Sequence, residues 1–176
     1  MVKVMGAPIA PEDVAVIDIM RFGDDGLVHA AALLGERAPI EHHDVVTWMK
    51  VMHVNVNAVF ILTQALLPLL KMSEDASVIF TTSGVSVRGR AYWGAYAVSK
   101  FANEGLMQVL ADELEGTSNA RANSINPGAT RTNMRAQAYP GENPATNPRP
   151  EDIMPLYLYL MGPDSKGVNG QALDAQ

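Results

Sequence analysis

Tyr96 and Lys100 stand four residues apart, at the head of a segment of good helix formers from Phe101 to Glu115. An i,i+4 spacing sets the phenol and the ammonium on one helix face, within reach of each other. A free tyrosine, with a pKa near ~10, is a poor acid or base at neutral pH. A cation held beside it favours the phenolate and lowers that value by roughly 1–3 pH units. Such a group can give a proton to, or take one from, a carbonyl or alcohol oxygen. Ser83 lies thirteen residues before Tyr96, in the small polar cluster Thr81-Thr82-Ser83-Gly84, and its hydroxyl could hydrogen-bond the same oxygen. Taken alone, a Tyr-x-x-x-Lys spacing is most often a surface helix pair. Its setting argues for chemistry.

That setting is a strand, a polar turn and a helix. Val78-Ile79-Phe80 has the β-branched and aromatic make-up of a buried strand and predicts one over 77–82. Upstream, Val14 to Ile19 reads as a short buried strand, Gly23-Asp24-Asp25-Gly26 as a turn, and Leu27 to Ala32 as a second strand. Asp44 to Lys71 predicts a long apolar helix, acidic at its start and lysine-ended as the helix dipole prefers, with Pro68 distorting its last turns. Downstream, a helix is expected over 95–115 and a strand over Arg121 to Ile125, closed by Asn126-Pro127-Gly128. Residues 129–149 read as loop, Pro150-Glu151-Asp152 opens a helix that Gly162-Pro163 ends, and a last strand lies within 169–174. Continuous apolar runs alternating with helices predict a parallel sheet with helices on its faces. The expected fold is α/β, doubly wound, in a single domain over 1–176.

Composition narrows the function classes. The chain has 176 residues, 48% hydrophobic and 18% charged, with a net charge of −6. Such a balance belongs to a globular protein and argues against a general nucleic-acid or anionic-membrane binder. With no cysteine there is no disulfide frame or thiolate nucleophile. No unbroken apolar run reaches the ~18–20 residues of a spanning helix, and the first residues lack a signal-peptide layout. A soluble, cytoplasmic protein is expected. His42 and His43 are adjacent, point in different directions on a helix, and read as solvated surface rather than metal ligands. The ten methionines read as core filler, while Met134 and Trp93 could line a substrate pocket.

Ser83, Tyr96 and Lys100 in this strand–turn–helix setting resemble the active site of the short-chain dehydrogenase/reductase family. WGAYAVSKF and DIMPLYLYLM are most similar to an oxoacyl-reductase-like subgroup. The resemblance implies that Tyr96 is the general acid/base, that Lys100 lowers its pKa and holds the nicotinamide ribose, and that Ser83 polarises the substrate carbonyl. It also implies a fourth member, acting through a bound water, and Asn55 in HVNVNAVF matches that place better than Asn57. Pro127 and Gly128, with Thr130 and Thr132, resemble the family's turn that holds the nicotinamide carboxamide. By residue type alone they make an ordinary strand-ending turn. The implied cofactor is NAD(P).

Two departures qualify the likeness. LVHAAALLG stands where the family carries Asn-Asn-Ala-Gly, so Ala30 and Ala32 replace a sheet-steadying amide and a glycine of close approach. The Thr-Gly-x-x-x-Gly-x-Gly turn that receives a pyrophosphate is absent from the sequence. The resemblance therefore covers roughly 26–176 and implies an incomplete Rossmann-like sheet, missing its first strand–helix units. An exposed edge and apolar helix faces would need cover, so a homodimer or homotetramer is expected, and the resemblance implies that the helices around Asn55 and Tyr96 form its interface. Three functions follow. The first is an oxidoreductase on a small carbonyl or alcohol with NAD(P). The second is a cofactor-free, esterase-like hydrolase with Ser83 as nucleophile and Tyr96 or Lys100 as base. The third is a catalytically silent binding module.

Overall fold

The computed structural model describes residues 26–176. The strand expected at 14–19 lies outside the described residues. Four parallel strands form one sheet in the order β1-β2-β3-β4: β1 (Gly26–His29), β2 (Ser77–Thr81), β3 (Arg121–Asn126) and β4 (Ala172–Asp174). β1, β2 and β3 are buried almost throughout, which is why β1 and β2 read as apolar runs, whereas β4 is largely exposed. Side chains alternate between two covered faces. Val78 and Phe80 of β2 meet Leu27, Ala122 and the helices α2 (Ala58–Leu70) and α3 (Gly94–Leu114) through Val59, Leu70, Met107, Leu110 and Leu114. Ile79 and Ile125 point the other way, onto Ile153, Tyr157 and Leu160 of α5 (Pro150–Met161). Helices on both faces of a parallel sheet are the expected doubly wound arrangement.

The long helix starts with α1 (Val45–Met52), capped by the Asp44 side chain on the Thr47 N–H at 2.7 Å, and ends at Leu70 with Lys71 as its cap. Its irregularity is not at Pro68. That proline sits one turn from the end, where a lost hydrogen bond faces solvent. Instead, residues His53–Asn57 form a π-turn, with the Ala58 N–H reaching back to the His53 carbonyl. By length and apolar composition Val45–Leu70 passes as a membrane-crossing helix. Its buried positions Val51, Asn55, Val59, Thr63 and Leu70 nevertheless face the rest of the fold.

The 129–149 stretch is more ordered than its composition suggests. It holds α4 (Asn133–Ala138) and a 3-10 turn at Pro144–Thr146. Thr132 caps α4 by accepting from the Arg135 N–H at 3.1 Å, and Arg135 then grips Glu142 with two bonds of 2.6 and 2.5 Å. These local side-chain bonds replace the apolar periodicity by which a longer helix would be recognised.

Candidate active site

A cleft of about 350 Å³ opens at the carboxyl ends of β1, β2 and β3, where ligands of open α/β sheets bind. Ala30 and Ala32 line it from β1, Thr81, Thr82 and Ser83 from β2, and Pro127, Gly128, Thr130 and Thr132 from β3. Tyr96 and Lys100 enter from the first turns of α3, and Met134 with the aromatic Trp93, Tyr139 and Tyr157 completes the lining. Ser83, Tyr96 and Lys100 thus share one cleft.

Their geometry is set by the backbone around them. Tyr92 holds a positive φ of 70°, unusual for a non-glycine residue, and Gly94 has φ of 21°. This sharp entry turns α3 so that Tyr96, only 8% exposed, lies beside the end of β2. Ser83 is extended, immediately before the 3-10 turn Gly84–Ser86, and its side chain faces the Tyr96 phenol and pulls its pKa down. Lys100, 3% exposed, donates from Nζ to the Thr81 carbonyl at 2.8 Å and sits 5.5 Å from the centroid of the Tyr96 ring.

Electrostatically the pair departs from the expectation that Lys100 lowers the tyrosine pKa. Burial pushes the Tyr96 phenol above its ordinary value, with the Ser83 hydrogen bond opposing. Burial likewise depresses Lys100, to about 8, with Glu104 opposing. The reason is directional. The ammonium is spent on the strand carbonyl and addresses the ring from 5.5 Å, too loosely to outweigh desolvation of the phenol.

Asn55 is fully buried in the π-turn and does not line the cleft. Its Oδ1 accepts from the Leu33 N–H at 2.7 Å and its Nδ2 donates to the Leu33 carbonyl at 2.9 Å and to Ser99 Oγ at 3.0 Å. Ser99 in turn donates to the Tyr96 carbonyl at 2.7 Å. Asn55 therefore ties the segment after β1 to the helix that carries Tyr96. At the β3 turn, Gly128 has φ of 69°, and Thr130 Oγ1 donates to the Pro127 carbonyl at 3.0 Å. The Gln176 side-chain amide also lies on this turn, 3.4 Å from Thr130 Oγ1.

Three features escape a reading of the sequence. Glu104 is buried one helical turn beyond Lys100, accepting from Ser86 Oγ at 3.2 Å and from Ser124 Oγ at 2.8 Å. An i,i+4 Lys–Glu pair normally reads as solvated surface, and only the packing of α3 on the sheet reveals otherwise. Arg37 stacks over Trp93 at 4.7 Å and Tyr139 at 5.3 Å, while donating to the Ala138 carbonyl. His43 corrects the surface reading. Its side chain is 5% exposed, beside Glu36 at 2.9 Å and edge-on to Trp48, whereas His42 is exposed as expected. A larger groove, about 460 Å³, opens at the other end of the strands around Asp75 and Arg121. Arg121 spends its donors there on Asp75, Ser165 and two carbonyls, which makes the pair a structural one.

Comparison with known proteins gives this geometry a lineage. The model of the short chain dehydrogenase family matches residues 16–143. The chain belongs to the short chain dehydrogenase family. The uncharacterized oxidoreductase YciK of Escherichia coli K12 is 57% identical over 152 residues, covering 86% of this chain and 60% of that protein. A provisionally assigned short chain dehydrogenase from Pseudomonas syringae superposes with a TM-score of 0.85 at 70% identity, covering 88% of this chain and 63% of the other. Another, from Escherichia coli CFT073 and solved in complex with NADPH, gives 0.83 at 57% identity, covering 86% and 62%. The chain thus spans less than two thirds of the length of these relatives.

Proposed function

We propose that the chain carries the proton-transfer site of an oxidoreductase that acts on a small carbonyl or alcohol with NADP(H). The observation that carries this reading is the cluster in one cleft: the Tyr96 phenol beside Ser83, with the buried Lys100 ammonium behind the ring. A nicotinamide cofactor supplies a hydride when bound. The described residues fit its nicotinamide-ribose half. Lys100 offers a buried cation, Thr82 Oγ1 is buried without a partner, and Pro127, Gly128 and Thr130 form an open polar turn beside them. Thr132 fits less well, because its hydroxyl is committed to capping α4.

The chain's own residues then do the following. Ser83 and Tyr96 hydroxyls present two donors to a carbonyl oxygen in the cleft, orienting it and stabilising developing negative charge. Tyr96, kept protonated by burial, delivers its proton to that oxygen in the reduction direction. Lys100 holds the resulting phenolate by its charge. Trp93, Tyr139 and Ala138 exclude water on the substrate side. Asn55 acts as a support, spanning the Leu33 segment and Ser99 rather than touching substrate.

The hydrolase alternative has no observation in its favour: Ser83 is paired with a tyrosine whose phenol burial keeps protonated, a poor base. Cytoplasmic location and self-association belong to the same proposal. Val98, Phe101 and Val109 form an exposed apolar stripe on α3, next to Val45, Val46 and Met49 on α1, and a second copy would cover both. The test is NADPH-dependent loss of absorbance with a panel of aldehydes and ketones. Tyr96→Phe is expected to cut kcat by about 10²–10⁴-fold while calorimetric NADPH binding persists. Absence of both binding heat at about millimolar NADPH and turnover would overturn the reading.

A further inference from the structure

Lys100 carries a charge in a place that offers it little. It is buried, and its ammonium donates to one backbone carbonyl, that of Thr81. From β2 and the turn after it, the groups around it are Thr81 and Ser83, both uncharged; from α5, Tyr157, whose hydroxyl meets Thr81 Oγ1 at 3.1 Å; from the β3 turn, Pro127 to Thr130. On α3 itself they are Tyr96 and Glu104. Among the described residues Glu104 is the one charge acting on the lysine.

Glu104 is itself built into the fold. Oε1 accepts from Ser86 and Oε2 from Ser124, so each carboxylate oxygen receives a hydroxyl donor. Ser124 belongs to β3. Ser86 closes the turn that begins at Ser83, and its N–H donates to the Ser83 carbonyl at 2.8 Å. One carboxylate thereby joins the helix carrying Tyr96 and Lys100 to the turn carrying Ser83.

We propose that Glu104 is a positioning residue of this site, whose buried carboxylate keeps Lys100 an ammonium and, through Ser86 and Ser124, sets the Ser83 turn against Tyr96. The role rests on the oxidoreductase reading, but its charge coupling is measurable without turnover. An amide at 104 removes the negative charge and offers one donor where two acceptors are needed. Lys100 then loses its proton at lower pH, since nothing else offsets its desolvation.

The chain has five lysines, so their ε-carbon NMR signals can be titrated individually, with Lys100→Arg identifying the one of interest. Wild type is expected to titrate at Lys100 near pH 8. In Glu104→Gln the midpoint should fall by at least half a pH unit, a change that loss of packing alone would not produce. Should that variant not fold, Ser86→Ala/Ser124→Ala carries the test. Stripped of both tethers, the carboxylate is free to swing away from Lys100, and the Lys100 midpoint should again fall. An unmoved midpoint in the folded variant overturns the proposal. In turnover, the alkaline loss of kcat should move to lower pH by the same amount, with KM for the carbonyl unchanged. If wild type shows no turnover with NADPH, the oxidoreductase reading fails while the lysine titration still decides the coupling.

Discussion

Buried polar residues carry most of what is specific here. Asn55 has no exposed surface and satisfies both backbone groups of Leu33 as well as Ser99. Asn55→Ala would leave the Leu33 N–H and carbonyl without this partner, and each buried orphan costs about 1–3 kcal/mol. A loss of roughly 2–4 kcal/mol in urea unfolding is expected. His29 illustrates a pH effect. It is buried against Phe80 and bonded to Thr63 at 2.8 Å, and burial lowers its pKa from 6.5 to about 4. The folded protein keeps it neutral where the unfolded chain would protonate, so between those values the unfolded state binds more protons. Its contribution is full above about pH 6.5 and is lost as pH falls toward 4, on the order of 3 kcal/mol across the window. Unfolding measured at pH 7 and pH 4.5 should show that slope, and His29→Gln should flatten it.

At the scale of elements, the start of α3 is the critical joint. The α1 helix and π-turn pack against α3, and His43 just before α1 reaches the first residue of α3. A Cβ on Gly94 would lie 1.9 Å from His43 Nε2, inside any real contact distance. Gly94→Ala must therefore displace the imidazole or swing the helix start two residues from Tyr96. Overpacking of this kind costs roughly 1–3 kcal/mol. Removing the ring should relieve it, so Gly94→Ala/His43→Ala should be less destabilised than the sum of the single changes. A double-mutant cycle by thermal unfolding measures this, with additive losses as the contrary result.

For the molecule as a whole, the unresolved demand is the apolar surface. Phe101 is 44% exposed, Val109 57% and Val46 73%, and all belong to elements that pack together through α1 and α3. Phe101→Glu places a charge in the centre of that stripe. If two copies of the chain cover it, light scattering should show wild type at a multiple of the monomer mass and the variant shifted toward monomer. A wild type already monomeric at micromolar concentration would remove the proposal of self-association.

By itself the sequence determined the parallel α/β architecture, because apolar runs and helix signals are local properties of contiguous residues. It also singled out Ser83, Tyr96 and Lys100, since an i,i+4 pair after a strand and a polar turn leaves few arrangements. Tertiary structure decided what depends on surroundings. It placed His43 inside and put the helix irregularity at Asn55 rather than at Pro68. It also turned Thr132 into a helix cap and buried Glu104 behind Lys100. It reversed the expected direction of the Tyr96 pKa as well, because desolvation is a sum over every neighbour in space and no spacing along the chain encodes it.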